Sequence, residues 1–151
     1  MKEFKNIDDI LEFAITQEQN SIDFYTDLNK TARSQEMQMV FLQFAGEERM
    51  HKNRLINIRK EKIFTIPVKD VRDLKIADYL VEMEPKPDMT YQEALVIAMK
   101  REKAAFRLYL NLADRAPNQA LKSVFESLAM EESRHKLRFE LEYDEFVLRE
   151  N

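Results

Sequence analysis

The chain has 151 residues with one Gly, four Pro and no Cys, which excludes disulfides, thiolate-bound metal centres and thiol catalysis. A net charge of −4 without a basic stripe argues against nucleic-acid binding, and no apolar run of about 18 residues exists to cross a membrane. The N-terminal residues contain no apolar signal-peptide core. We therefore expect a soluble, cytoplasmic protein with one domain over residues 1–151.

Long amphipathic helices dominate the predicted secondary structure. The four predicted helices cover residues 7–31, 34–60, 91–115 and 117–148. Asn6 is a candidate cap for the first helix, and Thr90 with Glu93 forms a capping box at the start of the third. Pro117 suits the first position of the fourth helix, where no backbone N–H is needed.

The segment between the second and third helices, residues 61–89, differs from the rest because it holds three of the four Pro residues. A short helix is predicted within it over residues 70–80. The segment can span a helix of the second one's length, on the order of 40 Å at about 1.5 Å per residue. We therefore expect a crossover that makes the second and third helices parallel, between antiparallel hairpins over residues 7–60 and 90–149. This is an all-α four-helix bundle.

Six polar residues recur with one spacing in both hairpins. Each hairpin has two Glu separated by the same interval, and the second Glu is followed three positions later by one of the only two His residues. These residues are Glu18, Glu48 and His51 in the first hairpin and Glu102, Glu132 and His135 in the second. One constant offset, which takes Glu18 to Glu102, aligns the hairpins without a gap and also pairs Tyr25 with Tyr109. The sequence therefore predicts a duplicated helical hairpin.

All six residues occupy core-facing positions of their helices. In the first helix, Glu18 continues the apolar series of Leu11 and Ala14 at alternating steps of three and four. Four buried carboxylates without countercharges are costly, whereas two divalent cations balance their charge. These faces carry no basic residue except the two His. We therefore predict a dimetal site rather than a metal-free polar network. Carboxylate and imidazole ligands suit iron or manganese, with zinc also possible.

Three segments, residues 14–18, 44–51 and 128–135, resemble those of the rubrerythrin branch of the ferritin-like di-iron carboxylate proteins. The resemblance extends over about residues 7–146. It implies a ferritin-like fold and a site for two iron ions. It further implies that Glu18 and Glu102 are terminal ligands and that Glu48 and Glu132 bridge the two irons. His51 and His135 would each cap one iron.

Two pairs of neighbouring residues have open roles. Tyr25 and Tyr109 lie two turns after Glu18 and Glu102 on the same helix faces. Each can donate a hydrogen bond to a ligand carboxylate or serve as a core aromatic, and the sequence favours neither. Glu47 and Glu131 precede the bridging ligands and point about 100° away from them on the helix, so we favour a surface role for both.

The sequence departs from rubrerythrins in two respects. Rubrerythrins carry an extra Glu three residues after the ligand on the third helix, where this chain has Ala105, and Ser21 is its counterpart in the first hairpin. The resemblance therefore does not cover every residue of the rubrerythrin peroxidase mechanism. The iron–sulfur rubredoxin domain is also not expected, because the sequence has no Cys. Electrons would have to come from a separate donor, such as a rubredoxin or a flavoprotein.

The resulting hypotheses belong to different functional classes. The favoured one is a di-iron oxidoreductase that reduces H2O2 or O2 with an external electron donor, or that oxidises Fe(II) at the same ligands. The alternative is a non-catalytic metal-binding or sensing module. An oxygenase acting on an organic substrate would need a substrate pocket. The resemblance also implies a possible homodimer.

Overall fold

The computed structural model describes residues 4–66, 70–71, 73–81 and 85–150. Its long helices are α1 (Ile7–Leu28), α2 (Gln35–Glu61), α3 (Tyr91–Asp114) and α4 (Gln119–Glu150). A 3-10 turn, Asn29–Thr31, follows α1, and a second one, Ile76–Asp78, lies between α2 and α3. No strand occurs among the described residues, so the predicted all-α class is confirmed.

The helix starts are set by side-chain caps. The side chain of Asn6 accepts a hydrogen bond from the Asp9 N–H at 2.9 Å. Thr90 and Glu93 form the predicted capping box, in which each side chain bonds to the other's backbone N–H. Ser34 caps α2 by accepting from the Met37 N–H at 3.2 Å.

The prediction that Pro117 opens the fourth helix is wrong. The side chain of Asn118 accepts from the Leu121 N–H at 2.9 Å, and its carbonyl accepts from the Lys122 N–H. Asn118 is therefore the cap, and α4 begins at Gln119. A capping Asn satisfies an otherwise unbonded N–H, and this places Pro117 before the cap instead of in the first helical turn.

Contacts between the helices fix their directions. Tyr25 of α1 bonds to Glu102 of α3, and Tyr109 of α3 bonds to Glu18 of α1, so these two helices are antiparallel. The α1–α2 hairpin is also antiparallel, which makes α2 and α3 parallel. The predicted topology, with a long crossover between the hairpins, is thus confirmed.

The crossover packs onto the bundle through tight turns. The short helix predicted over residues 70–80 is not continuous: residues 70 and 71 are helical, and a 3-10 turn covers Ile76–Asp78. Position 72, within the predicted helix, lies outside the described residues. The N–H groups of Leu74 and Tyr79 bond to carbonyls three residues earlier. This spacing produces 3-10 turns and buries both side chains against the bundle.

The core consists of two apolar clusters with a polar layer between them. One cluster contains Leu11 and Ala14 of α1, and the other contains Tyr25 and Leu28 of the same helix. Glu18 lies between them along α1 and is 2% exposed. Among the described helices, none combines the length and apolar character needed to cross a membrane.

Candidate metal centre

The polar layer brings together the six residues that the sequence singled out. All are buried, with no more than 3% of any of them exposed. Their ligand atoms form two groups within which all atoms lie within 4.8 Å of one another. One group is Glu18, Glu48, His51 and Glu132, and the other is Glu48, Glu102, Glu132 and His135. Glu48 and Glu132 therefore belong to both groups, as bridging carboxylates must.

Both histidines present Nδ1 to the carboxylates. Nδ1 of His51 lies 3.5 Å from Oε2 of Glu18 and 3.4 Å from Oε1 of Glu48. Nδ1 of His135 lies 3.3 Å from that same Glu48 oxygen and 3.6 Å from Oε2 of Glu102. The two imidazole rings are nearly parallel, with centroids 6.4 Å apart. Each hairpin thus supplies one imidazole to a shared set of carboxylates.

The tyrosines bind the outer oxygens of the unshared carboxylates. The Tyr109 hydroxyl donates to Oε1 of Glu18 at 2.6 Å, and the Tyr25 hydroxyl donates to Oε1 of Glu102. Each tyrosine therefore contacts the Glu of the other hairpin. These bonds orient each carboxylate so that its second oxygen faces the centre of the cluster.

The surface role favoured for Glu131 is wrong, whereas Glu47 lies beside the cluster and stays partly exposed. Oε2 of Glu131 lies 2.7 Å from Nε2 of His51, and Oε1 of Glu47 lies 3.5 Å from Nε2 of His135. Both side chains reach from one of α2 and α4 towards a histidine of the other, and they stay partly exposed, at 29% for Glu131 and 25% for Glu47. A proton held on Nε2 of His51 by Glu131 would leave the Nδ1 lone pair free to bind a metal ion. Nε2 of His135 has no hydrogen-bond partner among the described residues, so Glu47 acts there only as a nearby charge. The Glu-Glu pair, which occurs at the same place in both hairpins, is the sequence signal that could have identified them.

The inward-facing atoms of the cluster lack hydrogen-bond partners among the described residues. They are Oε2 of Glu18, both carboxylate oxygens of Glu48, Oε2 of Glu102, Oε1 of Glu132, and Nδ1 of both histidines. Nδ1 of His51 lies 2.8 Å from Oε1 of Glu132, but the contact lacks the angle of a hydrogen bond. So many unsatisfied buried polar atoms facing one another fit a site for cations better than a polar network.

The electrostatics of the cluster lead to the same interpretation. Burial, with the negative charges of Glu102 and Glu48, raises the pKa of Glu132 well above its usual range. Burial and the charge of Glu48 raise the pKa of Glu18 to about 8. Burial alone would lower the pKa of His51, but the carboxylates of Glu18 and Glu48 outweigh it and raise it to about 9. Without cations the cluster therefore retains extra protons, which metal ions would displace.

A small cavity borders Glu18 on the α1–α3 side of the cluster. Its volume is about 20 Å³, and its lining includes Ser21 and Ala105. Tyr79 of the crossover also lines it. A cavity must offer roughly 10–15 Å³ to hold one water molecule. This cavity therefore has room for only a very small molecule.

Comparison with solved structures identifies the fold. The chain is similar to a Thermotoga maritima protein described as a ferritin-like diiron-carboxylate protein, with 24% sequence identity and a TM-score of 0.78. The match covers 96% of this chain and 99% of the other. At this identity the likeness shows the fold alone, and it confirms the predicted ferritin-like fold.

Comparison with models of protein families identifies the family of this chain. The model described as Rubrerythrin matches residues 9–143, which include all six cluster residues. The chain belongs to the rubrerythrin family, as its sequence motifs indicate. The search of curated proteins gives no significant match.

Proposed function

We propose that this protein is a di-iron oxidoreductase that reduces H2O2 or O2 to water with electrons from a separate donor. The observation that carries the proposal is the buried cluster, whose inward-facing carboxylate and imidazole atoms have no hydrogen-bond partners among the described residues. Family membership supports iron over manganese or zinc, which the same ligand types also accept.

The two ligand groups define how each ion would be held. Glu18 and His51 would bind one ion, and Glu102 and His135 would bind the other. Glu48 and Glu132, which belong to both groups, would bridge them. Four carboxylates and two divalent ions give a neutral centre, which removes the cost of burying four negative charges.

The small size of the cavity beside Glu18 favours a very small molecule as the oxidant. Two bound ferrous ions would supply two electrons, so that one H2O2 with two protons yields two waters. The cavity of about 20 Å³ has room for a molecule of one or two heavy atoms but not for an organic substrate. Ala105 supplies no ligand there, so the proposed first coordination sphere consists of the six cluster residues.

The cluster's surroundings would keep the ligands in place during turnover. Tyr25 and Tyr109 hold the outer oxygens of the two unshared carboxylates. Glu131 holds the outer nitrogen of His51. Because these contacts come from neighbouring helices, the ligand positions are fixed by the packing of the whole bundle.

Anaerobic mixing of the Fe(II)-loaded protein with H2O2 or O2 tests the proposal. We expect rapid oxidation of two ferrous ions per H2O2 and continued peroxide consumption when reduced rubredoxin is added. Slow oxidation that stops after one turnover would contradict catalysis and favour the non-catalytic metal-binding module. Excess Fe(II) as the only reductant would report ferroxidase activity in the same assay.

A pair of substitutions tests the role of the cavity. Ala105→Leu should fill it and slow the oxidation while leaving the metal content unchanged. Ala120→Leu adds the same atoms at an exposed position of α4 and should leave the rate unchanged. Equal rates in both variants would show that the oxidant does not reach the cluster through this cavity.

A further inference from the structure

The outward side of α3 carries a concentration of positive charge, although the net charge of the chain is −4. Lys100, Lys103 and Arg107 are exposed and line one surface cavity of about 260 Å³, whose lining also includes one acidic residue, Asp78. Their spacing of three and four positions places them on one side of the helix. Between positions 100 and 111 the only acidic residue is Glu102, whose side chain is buried in the metal centre. We call these three residues the cationic face.

The cationic face is not inherited from the internal repeat. At the offset that takes Glu18 to Glu102, Lys100 corresponds to Thr16, Lys103 to Gln19 and Arg107 to Asp23. The α1 residues at these positions carry no positive charge, although the cluster residues of the two helices match. A charge pattern confined to one hairpin requires an explanation other than the fold that both hairpins share.

The cationic face lies directly behind a residue of the proposed metal centre. Glu102 falls between Lys100 and Lys103 in the chain and projects to the inner side of α3. An α-helix with its side chains is about 10–12 Å across, so a molecule bound at this face lies roughly one helix diameter from the cluster. Val81 and Ala104 line both the cationic cavity and the small cavity that borders Glu18.

Exposed apolar side chains lie next to the charges. Leu80 of the crossover is 43% exposed and lines the same cavity as the three cations. Leu110 is 38% exposed and lies one helical turn after Arg107 on α3. Protein–protein interfaces usually combine apolar side chains with a polar rim, and this part of the surface offers both kinds of residue.

We propose that the cationic face is the docking surface for an acidic electron-donor protein. This inference rests on the proposed function, which requires an external one-electron donor. Charge complementarity favours such a partner, because the three cations on one side of α3 attract an acidic protein to a chain whose net charge of −4 repels it at long range. Each encounter delivers one electron, and two encounters with two protons complete the reduction of one H2O2 to two waters.

The test is the second-order rate constant for electron transfer from a reduced, acidic rubredoxin to the oxidised, iron-loaded protein. The test variant, Lys103→Gln/Arg107→Asp, carries the α1 counterparts of the two residues. The control, Arg54→Asp/Lys122→Gln, changes the total charge equally at exposed positions of α2 and α4. We expect the test variant to lower the rate constant about tenfold at low ionic strength, and the control to change it less than about threefold. The difference should disappear at high salt.

A second readout separates this inference from the proposed function. Zinc-substituted rubredoxin, which transfers no electrons, is titrated into the metal-loaded protein, and amide chemical shifts are followed by NMR. Changes centred on residues 100–110 and 78–81 are expected, even if peroxide reduction were to fail. Equal rate constants for the two variants, or shift changes centred elsewhere, would overturn the docking surface. Shifts caused by inorganic phosphate but not by the zinc protein would overturn it in favour of a small-anion site.

Discussion

The two hairpins of the bundle are alike where they face the cluster and differ where they face away from it. Each supplies one unshared Glu, one shared Glu and one His, at positions related by one constant offset. The tyrosine bonds are also exchanged symmetrically, from Tyr25 to Glu102 and from Tyr109 to Glu18. The two proposed ions, with equivalent ligands, would explain why this inner surface is repeated.

The helix caps follow the same repeat. Asn6 of α1 corresponds to Thr90 of α3, and Ser34 of α2 corresponds to Asn118 of α4, at the offset that relates the cluster residues. The residue types differ within each pair, but every one accepts a backbone N–H. The starting positions of the helices, which set the level of the ligands, are therefore preserved in both hairpins, although the helix lengths differ.

The two ends of the bundle show where the repeat breaks. At one end the buried Glu142 accepts two hydrogen bonds from the guanidinium of Arg33, at 3.0 and 2.8 Å, and one from the Tyr91 hydroxyl. The counterparts of Glu142 and Tyr91 in the first hairpin are Ile58 and Ile7, which pack against the apolar core. An ion pair holds the helices together at one end of the bundle, and apolar contacts do so at the other. Neither residue type is therefore required by the fold.

The largest effect on stability is expected from breaking the ion pair. Arg33→Met leaves the carboxylate of Glu142, whose residue is 1% exposed, without its countercharge. We expect a loss of about 3 kcal/mol in the free energy of unfolding of the metal-free protein, measured with urea. The double variant Arg33→Met/Glu142→Ile gives this end the apolar character of the other and should recover most of the loss. An unchanged single variant would contradict the proposed role of the pair.

Removing the tyrosine hydroxyls tests the symmetry of the cluster. Tyr25→Phe and Tyr109→Phe each leave one oxygen of Glu102 or Glu18 without its donor, so each should weaken metal binding by about tenfold. The affinity is measured by competition with a chelator. Tyr143→Phe, which removes a bond to Gln92 away from the cluster, is the control and should have no effect. A loss in only one of the two tyrosine variants would show that the two ion sites are not equivalent.

The two histidines differ in how closely a carboxylate approaches their outer nitrogen. Glu131 lies 2.7 Å from the ring of His51, whereas Glu47 lies 3.5 Å from that of His135. We expect Glu131→Gln to weaken metal binding about fivefold, less than a fully buried partner would, because the Glu131 side chain is 29% exposed. Glu47→Gln should have a smaller effect in the same chelator competition. The reverse order would contradict the geometry.

The smallest effects are expected at the equivalent caps. Ser34→Ala and Asn118→Ala should each lower the free energy of unfolding by about 1 kcal/mol. The exchanges Ser34→Asn and Asn118→Ser keep a capping oxygen and should leave stability nearly unchanged. Urea unfolding of the four metal-free variants compares them. An exchange that costs as much as the alanine substitution would show that the side-chain bond is not what sets the helix start.

The bundle and the convergence of the six polar residues could be predicted because both depend on helical periodicity. Glu18 occupies a core position by its spacing alone, and the repeat shows that the same position is used twice. The partner of each tyrosine could not be predicted, because periodicity fixes the face of a helix but not the level of its neighbour. Tyr25 reaches Glu102 only because α1 and α3 run antiparallel.

The errors also have physical causes. Helical periodicity places Glu47 and Glu131 at the surface because it gives their direction from one helix alone, whereas their contacts cross to the adjacent helix. The tight turns around Ile76–Asp78 could not be distinguished from a helix, because both place apolar residues three or four apart. The domain boundaries, the cytoplasmic location and the possible homodimer stay predictions.

The most direct test of the dimetal centre is metal content. Mass spectrometry is applied to protein purified without chelators or a metal-binding tag, beside the variants Glu48→Ala/Glu132→Ala and Glu12→Ala/Glu126→Ala. We predict about two iron ions per chain in the wild type and in the second variant, which lacks only exposed carboxylates, and loss of both ions in the first. The absence of stoichiometric metal in the wild type, even after anaerobic addition of Fe(II), would contradict the dimetal centre and the redox function built on it.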